Sequence, residues 1–392
     1  MEESNVASQR AGDMKKGFYF SQVETTGLGP RRKILGQIKA FEESGISLEL
    51  VENPFCLSGI IRGNFLLRQL VCRLPFTYVY SKHQYEECYT GADVFYVRFL
   101  AGDRAFVRFL KQLRENNPQA KILLELPDYP TTWYMTTSLL YTLIYLPIMI
   151  KDWNAGKKYK RYVDRIVIPQ KIENAFQIPV LPIENGINVS DVRCREPEKT
   201  EVIRIIAVAG MCNFHGYDRL IEGLNDYYVQ GGKREIELHM VGGKAEPGNE
   251  LSRYQDLCQK YRLEKRIIFY GEKKGEELDK IYDKCNLAVG SLGMYRIGYK
   301  MASSLKIREY LAKGLPVITG SRVDVFEKKD FPYYLEFENN DTPIGVQKII
   351  DFYDSIYGEK DNRTINEEIR DYAAHNCDMK NALKNVIEYI YG

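Results

Sequence analysis

Histidine is scarce in this 392-residue chain, with four in all, and none of the eight cysteines forms a Cys-x-x-Cys pair. Cys56, Cys72, Cys88, Cys194, Cys212, Cys258, Cys285 and Cys377 are scattered. That pattern predicts no metal site and reduced, buried thiols in a cytosolic protein. Net charge is also small, +2, so the bulk composition makes no case for nucleic acid, although local patches remain open. Low-complexity tracts and internal repeats are absent. No charged-then-apolar leader stands at residues 1–16, so no secretory signal is expected and this polar stretch reads as a disordered lead-in. Long apolar runs are limited to Trp133–Ile150, WYMTTSLLYTLIYLPIMI. It has about the length of a membrane span, but three threonines, a serine and Pro147 argue against one. Two readings stand. One is an aromatic face lying on a bilayer surface, with Lys151, Lys157, Lys158, Lys160 and Arg161 just beyond it. The other is a helix buried in a domain core or cleft.

What is present is ample apolar material, 44% of residues, together with 29 tyrosines, many beside Lys or Arg. The length predicts two domains. In the first half, strands are expected at 17–22, 48–51, 94–98, 121–126, 165–169 and 180–183. Helices are expected at 31–44, after a loop with Gly27, Gly29 and Pro30, and at 104–116. Residues 188–201 read as a linker. The alternation then restarts, with strands at 204–209, 236–241 and 267–270 and helices at 216–228, 250–261 and 275–285. A last helix spans 379–391 and is free to pack on either half. Strands separated by helices argue for mostly parallel, doubly wound α/β sheets in two consecutive domains, 17–190 and 191–375, with a ligand cleft between them.

The stretch Asp283–Ser321 is the most informative. A short apolar strand, Leu287 to Ser291, leads into a loop dotted with Gly290, Gly293 and Gly298. A helix follows from Leu305 to Lys313, stopped by Gly314 and Pro316, and then a strand at 316–319. This is a βαβ unit. A glycine loop beside a helix start that carries Lys306 suits a phosphate, because free N–H groups and the helix dipole favour anions there. Glu309 lies on the same helix face as Lys306 and can accept hydrogen bonds from sugar hydroxyls. The stretch therefore reads as a nucleotide-sugar site.

Several pieces of the second half resemble, in order, the motifs of the retaining glycosyltransferases of family four. They are ENGIN at 184–188, IIAVAGMCNFHGYDRLIEGL at 205–224, LHMVGG at 238–243, IIFYGEKKGEELDKIYDKCNLAVGSL at 267–292 and SLKIREYLAKGLPVITG at 304–320. The resemblance implies a GT-B fold, two Rossmann-like doubly wound domains facing across a cleft. It implies transfer of a sugar from a nucleotide-diphosphate sugar with retention and with no metal or cofactor. The absence of any Asp-x-Asp agrees with that. The expected acceptor is a glycan or a lipid-linked one, in bacterial-type surface polysaccharide or glycolipid synthesis in the cytoplasm or at the inner membrane face. Departures exist. The first glutamate of the family's Glu-x7-Glu pair falls on Met301, and its Arg and Lys fall near Met211 and His215, with Asp218-Arg219 as a candidate replacement. A non-catalytic homologue that binds nucleotide or glycan is the alternative, and a nucleotide-sugar epimerase a more distant one.

The resulting assignments are these. Lys306 neutralises the donor diphosphate, and Arg219 is a second clamp or else a surface arginine paired with Asp218 or Glu222. His215 donates to phosphate or a sugar hydroxyl, or is structural. Glu309 holds the ribose, beside Leu305 at the helix start. Gly293 and the Tyr295-Arg296-Ile297-Gly298 turn let backbone amides approach the donor. Gly27 and Gly29, near Arg31 and Arg32, form a phosphate or acceptor loop, or a plain turn. Asp128, after the 121–126 strand, either touches the acceptor hydroxyl or caps a turn.

Overall fold

In a computed structural model, the described residues are 14–21, 28–52, 84–99, 102–126, 139–169, 171–197, 201–243, 249–327, 331–358 and 360–392. The chain divides into two compact units, residues 1–184 with 382–392, and residues 185–381.

The first unit is built on a seven-stranded sheet in the order β2-β1-β3-β4-β5-β7-β6. Its strands are β1 (Lys15–Ser21), β2 (Ile46–Glu52), β3 (Val94–Arg98), β4 (Lys121–Glu125), β5 (Arg165–Ile168), β6 (Asn174–Ala175) and β7 (Ile178–Pro182). All pairings are parallel except β6 with β7. Every residue of β3 is buried, as befits a central parallel strand covered on both faces. A Cβ on Gly17 would lie 1.8 Å from the carbonyl oxygen of Val94, so the glycine permits the close approach of β1 to β3. The helix Arg104–Asn116 opens on Asp103, whose carboxylate accepts from the Phe106 N–H at 3.0 Å. It buries Phe106, Phe109, Leu110 and Leu113 at the spacing of an amphipathic helix.

The helix expected from Arg31 runs from Leu28 to Glu42. Gly29 and Pro30 therefore lie in its first turn, where a missing proline N–H costs nothing, and Gly29 is not in a loop. Strand β1 begins at Lys15, inside the predicted lead-in; residues 1–13 lie outside the described residues. The apolar run continues into the helix Leu139–Tyr159, with Pro147 inside it. Among the described residues no helix is long and apolar enough to cross a membrane. The predicted last helix is two, Met379–Ala382 and Lys384–Tyr391. The second rests on the first unit: Asn385 Nδ2 donates to Pro182 O at 3.1 Å, and the Tyr391 hydroxyl donates to Ser44 O at 2.7 Å. Arg165 lies over the Tyr389 ring at 4.5 Å.

The second unit carries a six-stranded, all-parallel sheet in the order β10-β9-β8-β11-β13-β15. Its strands are β8 (Ile203–Val208), β9 (Ile236–Val241), β10 (Ile267–Phe269), β11 (Leu287–Val289), β13 (Val317–Thr319) and β15 (Tyr334–Glu336). A two-residue pair, β12 (Met301–Ala302) with β14 (Arg322–Val323), stands apart. The covering helices are Tyr217–Val229, Leu251–Lys260, Gly275–Lys284, Leu305–Ala312, Val346–Tyr357 and Asn362–Asn376.

The predicted linker does not behave as one. Val189 and Val192 are buried in the second unit's core, and the Arg195 guanidinium, also buried, donates to Cys285 O at 2.8 Å and to the Tyr357 hydroxyl at 3.1 Å. Charge and a proline suggested a solvated tether, whereas Arg195 is a staple that bonds carbonyls far off in sequence.

Candidate functional site

Strand order reverses between β8 and β11, and the segments leaving their carboxyl ends are 209–216 and 290–304. Crevices at such switch points are where doubly wound sheets bind ligands. The two segments are locked together. Gly216 has φ 62°, and a Cβ there would lie 2.5 Å from the Gly293 nitrogen. The Leu292 N–H donates to His215 O at 2.8 Å and the Gly293 N–H to Phe214 O at 3.2 Å.

The expected cradle of free loop amides is not what these glycines make. The N–H groups of Gly293, Arg296 and Gly298 bond to Phe214 O, Gly293 O and Tyr295 O, and that of Tyr295 to Asn339 Oδ1 at 3.0 Å. The glycines serve loop-on-loop packing and the tight turn at Gly298, φ 76°. Two helix starts without a capping side chain lie beside these loops instead. Ser304 precedes Leu305–Ala312, and Gly216 precedes Tyr217–Val229, neither with a capping side-chain bond. No side chain caps the first-turn amides there, although the Arg219 N–H donates to Gly216 O at 3.2 Å.

Lys306 sits in that first turn. Its Nζ donates to the Tyr217 hydroxyl at 3.4 Å and lies 5.8 Å from the centre of the same ring. The ammonium is desolvated although the side chain as a whole keeps some exposure, and burial pushes its pKa down to about 7. The other face of the Tyr217 environment is His215, stacked on the ring at 5.7 Å. His215 Nδ1 accepts from the Cys212 N–H at 2.8 Å, which fixes the neutral ring with its proton on Nε2. Burial first, and then the Lys306 charge, push its pKa down to about 3. The site thus pairs a cation that titrates near neutrality with a permanently neutral donor.

Arg219 has another task than the expected diphosphate clamp. Arg219 as a whole is 1% exposed. Nε donates to Thr342 O at 2.7 Å, Nη2 to Glu338 O at 3.0 Å, and Nη1 to Leu292 O. It staples the 292 and 338–342 loops together. Asp218 is likewise engaged: Arg296 grips it bidentately at 2.9 and 2.8 Å, and Arg253 adds a bond at 3.0 Å. Arg296 also reaches Asp341 at 2.8 Å and the Tyr295 hydroxyl at 2.8 Å. Tyr295, Arg296 and Asp218 therefore brace the loop. Met211, where the resemblance expects an arginine, is wholly buried at φ 55°.

Glu309 is half-buried on the Lys306 helix, close to Leu305, also half-buried. On the same helix Arg308 bonds Asp324 at 2.8 Å and Lys313 pairs with Asp279. The Arg308–Asp324 pair, with Ser303 on Asp324 at 2.6 Å, anchors the turn that enters the helix. The Tyr310 hydroxyl accepts from the Val208 N–H at 2.9 Å and ties the same helix to the end of β8. Met301, 40% exposed, stands with Ile297 and Tyr299 on the loop surface. Asp128 and Gly27 lie outside the described residues. Among the described residues no three His, Cys, Asp or Glu side chains are grouped to hold a metal ion.

Sequence reasoning missed Cys212 and Tyr217, both inside the motif CNFHGYD. It also missed a buried polar cluster in the first unit. Glu125, wholly buried, ends β4; it accepts from Arg98 Nη1 at 2.8 Å, the Tyr96 hydroxyl at 2.7 Å and Gln37 Nε2 at 3.0 Å, and pairs with Lys33 at 3.3 Å. Charged residues closing otherwise apolar strands, Arg98 in VFYVR and Glu125 in KILLE, were the available signal.

Residues 203–351, all within the second unit, match the family model described as glycosyl transferases group 1. No curated protein sequence matches the chain. Solved structures share the fold over nearly all of the chain. A glycosyltransferase from Rickettsia africae is 15% identical, covering 96% of this chain and 98% of its own, with TM-score 0.59. Sucrose-phosphate synthase from Thermosynechococcus elongatus is 13% identical, covering 96% and 99%, also at 0.59. Anabaena HepE in complex with UDP is 12% identical, covering 96% and 100%, at 0.57. The fold is that of the GT-B glycosyltransferases.

Proposed function

We propose that this chain, whose residues 203–351 match the glycosyl transferases group 1 model, moves a sugar from a nucleotide-diphosphate sugar to a glycan or lipid-linked acceptor with retained configuration. The setting we propose is the cytoplasm or the inner membrane face, in the synthesis of a surface polysaccharide or glycolipid. The observation that carries the reading is the meeting of Lys306, neutral His215 and two uncapped helix starts around the Tyr217 ring, at the sheet's switch point. Such a site is built for a diphosphate. The second unit (residues 185–381) is the donor side in this reading and the first unit the acceptor side. Uridine diphosphate is the nucleotide to test first, because HepE is described in complex with UDP and with UDP-glucose.

In the proposed reaction the bond from the sugar's anomeric carbon to the β-phosphate oxygen breaks, and the acceptor hydroxyl forms the new bond on the same face. Negative charge grows on the departing phosphate, where Lys306, the His215 Nε2–H and the first-turn amides of Leu305–Ala312 oppose it. Fixed donors aimed at developing charge lower the barrier more than the ground state. The acceptor's proton passes to the leaving phosphate, so no side-chain base is assigned. Glu309 holds the ribose, with Leu305 beside it. No metal or cofactor is given a part.

Binding of UDP to the purified chain tests the donor site. A rise in melting temperature that grows with UDP concentration is expected by mass action, and the absence of any rise with UDP or with other nucleoside diphosphates would refute it. Exposed Met301, in place of the resembling family's acidic residue, favours a second reading, a nucleotide-binding homologue without transfer. Slow hydrolysis of UDP-glucose, or product on any acceptor, separates the two.

A further inference from the structure

The helix Leu139–Tyr159 of the first unit is amphipathic in an unusual sense. Its inward side is polar in part: Asp152, Ala155 and Tyr159 are buried, and Asp152 accepts from the Gly102 N–H at 2.7 Å. Its outward side carries Leu146, Ile150 and Trp153, exposed by 43%, 49% and 63%. At about 3.6 residues per turn these three and Lys157 fall on one stripe, roughly opposite the buried residues. Lys157 Nζ lies 3.1 Å over the Trp153 ring, and Lys158 and Lys160 are exposed beside it. The only acid between 139 and 163 is the buried Asp152.

We propose that this stripe docks the first unit on the surface of an anionic lipid bilayer. An exposed row of Leu, Ile and Trp has no use in water, and large exposed apolar patches mark interaction sites. A tryptophan at the centre with lysines along the rim is the composition that settles at a headgroup boundary. The charge complementarity selects the occupant. A second copy of this chain would bring the same lysines against these, whereas an anionic headgroup layer attracts each of them. The helix does not span; it lies on the surface. The proposal deepens the lipid-linked acceptor reading, but its test reads vesicle binding and involves no transfer.

The full chain is mixed with vesicles of phosphatidylcholine, with and without phosphatidylglycerol, and sedimented. Binding is expected to the anionic vesicles, weakened by salt and falling roughly fivefold for each of Lys157, Lys158 and Lys160 changed to Glu. Ile150→Glu with Trp153→Glu should abolish it, with the UDP-induced melting shift retained as proof that the donor site is folded. If that variant does not fold, Trp153 fluorescence in a Trp133→Phe background gives the second readout, and a blue shift with anionic vesicles alone is expected. Binding to neither vesicle, equal binding to both, or a stripe that instead holds two copies together in solution would each overturn the proposal. Loss of the UDP shift with vesicle binding intact would count against the donor reading alone.

Discussion

Two sets of charges sit at the carboxyl ends of parallel strands in this molecule, one in each unit, and they are treated in opposite ways. In the first unit, burial alone would raise the Glu125 carboxyl, yet Arg98 and Lys33, with hydrogen bonds from Tyr96 and Gln37, hold it at about 2. Tyr19 extends the network by donating to Gln37 at 2.7 Å. In the second unit, the Lys306 ammonium faces a tyrosine hydroxyl and a neutral histidine, and burial lets it fall to about 7. A matched buried charge fixes a structure. A buried charge without a carboxylate partner is held in readiness for one from outside, and perturbed groups in a crevice are candidates for function on that ground.

Breaking the matched set should have the largest effect. Glu125→Ala leaves Arg98 and Lys33 buried beside each other, and removing one partner of a buried pair costs about 3–5 kcal/mol. Urea unfolding should show the first unit melting early, with UDP binding by the second unit retained. Acid acts on the same group. Its folded pKa is depressed, so its stabilisation is complete above the unfolded value near 4.3 and is lost as pH falls toward about 2. A Glu125→Ala chain as stable as the parent would remove the structural role assigned to this cluster.

Next in size is Lys306→Ala. Loss of a charge-assisted hydrogen bond to phosphate costs about 1.5–3 kcal/mol, so the UDP dissociation constant should rise roughly 10- to 100-fold. Stability should hold or increase, since a desolvated cation is removed. Calorimetric titration and a thermal melt read both. Unchanged affinity would unseat Lys306 as the diphosphate group.

These two predictions rest on residues of unequal visibility in sequence. The β/α alternation was legible because parallel strands buried on both faces read as apolar runs. Ile236–Val241 and Arg104–Asn116 emerge with the expected bounds, and the βαβ unit around Lys306 with its parallel β11–β13 pairing. Lys306 was legible because glycines, a helix start and a cation are neighbours in sequence. Arg219 was not, because its partners Leu292, Glu338 and Thr342 are brought to it by the fold. The glycine loop misled for the same reason: a glycine that frees an amide and one that admits a neighbouring loop look alike in sequence, and Gly216 against Gly293 is the second kind. Residues 188–197 likewise depend on long-range packing that local composition does not encode, whereas the helix Asn362–Asn376 carries its signal locally, in the cap Asp361 that accepts from the Arg363 and Thr364 N–H groups.

The smaller effects sharpen the contrast between a committed charge and a waiting one. If Lys306 titrates near 7 in the empty site and is charged against a diphosphate, UDP binding takes up a proton above that pH. Affinity should be flat below about pH 7 and weaken above it, by roughly tenfold or more between pH 7 and 9. The phosphate itself contributes little slope there, its last ionisation lying near 6. Lys306→Arg, charged throughout, should abolish the slope, and a flat profile in the parent chain would show that Lys306 does not supply it. His215→Ala should be gentler still. A neutral Nε2–H offered to a phosphate oxygen contributes about 1 kcal/mol, so a roughly fivefold loss of UDP affinity is expected, with the slope above pH 7 intact. A larger loss, or a loss of the slope itself, would mean that His215 sets the state of Lys306 and does not merely stand beside it.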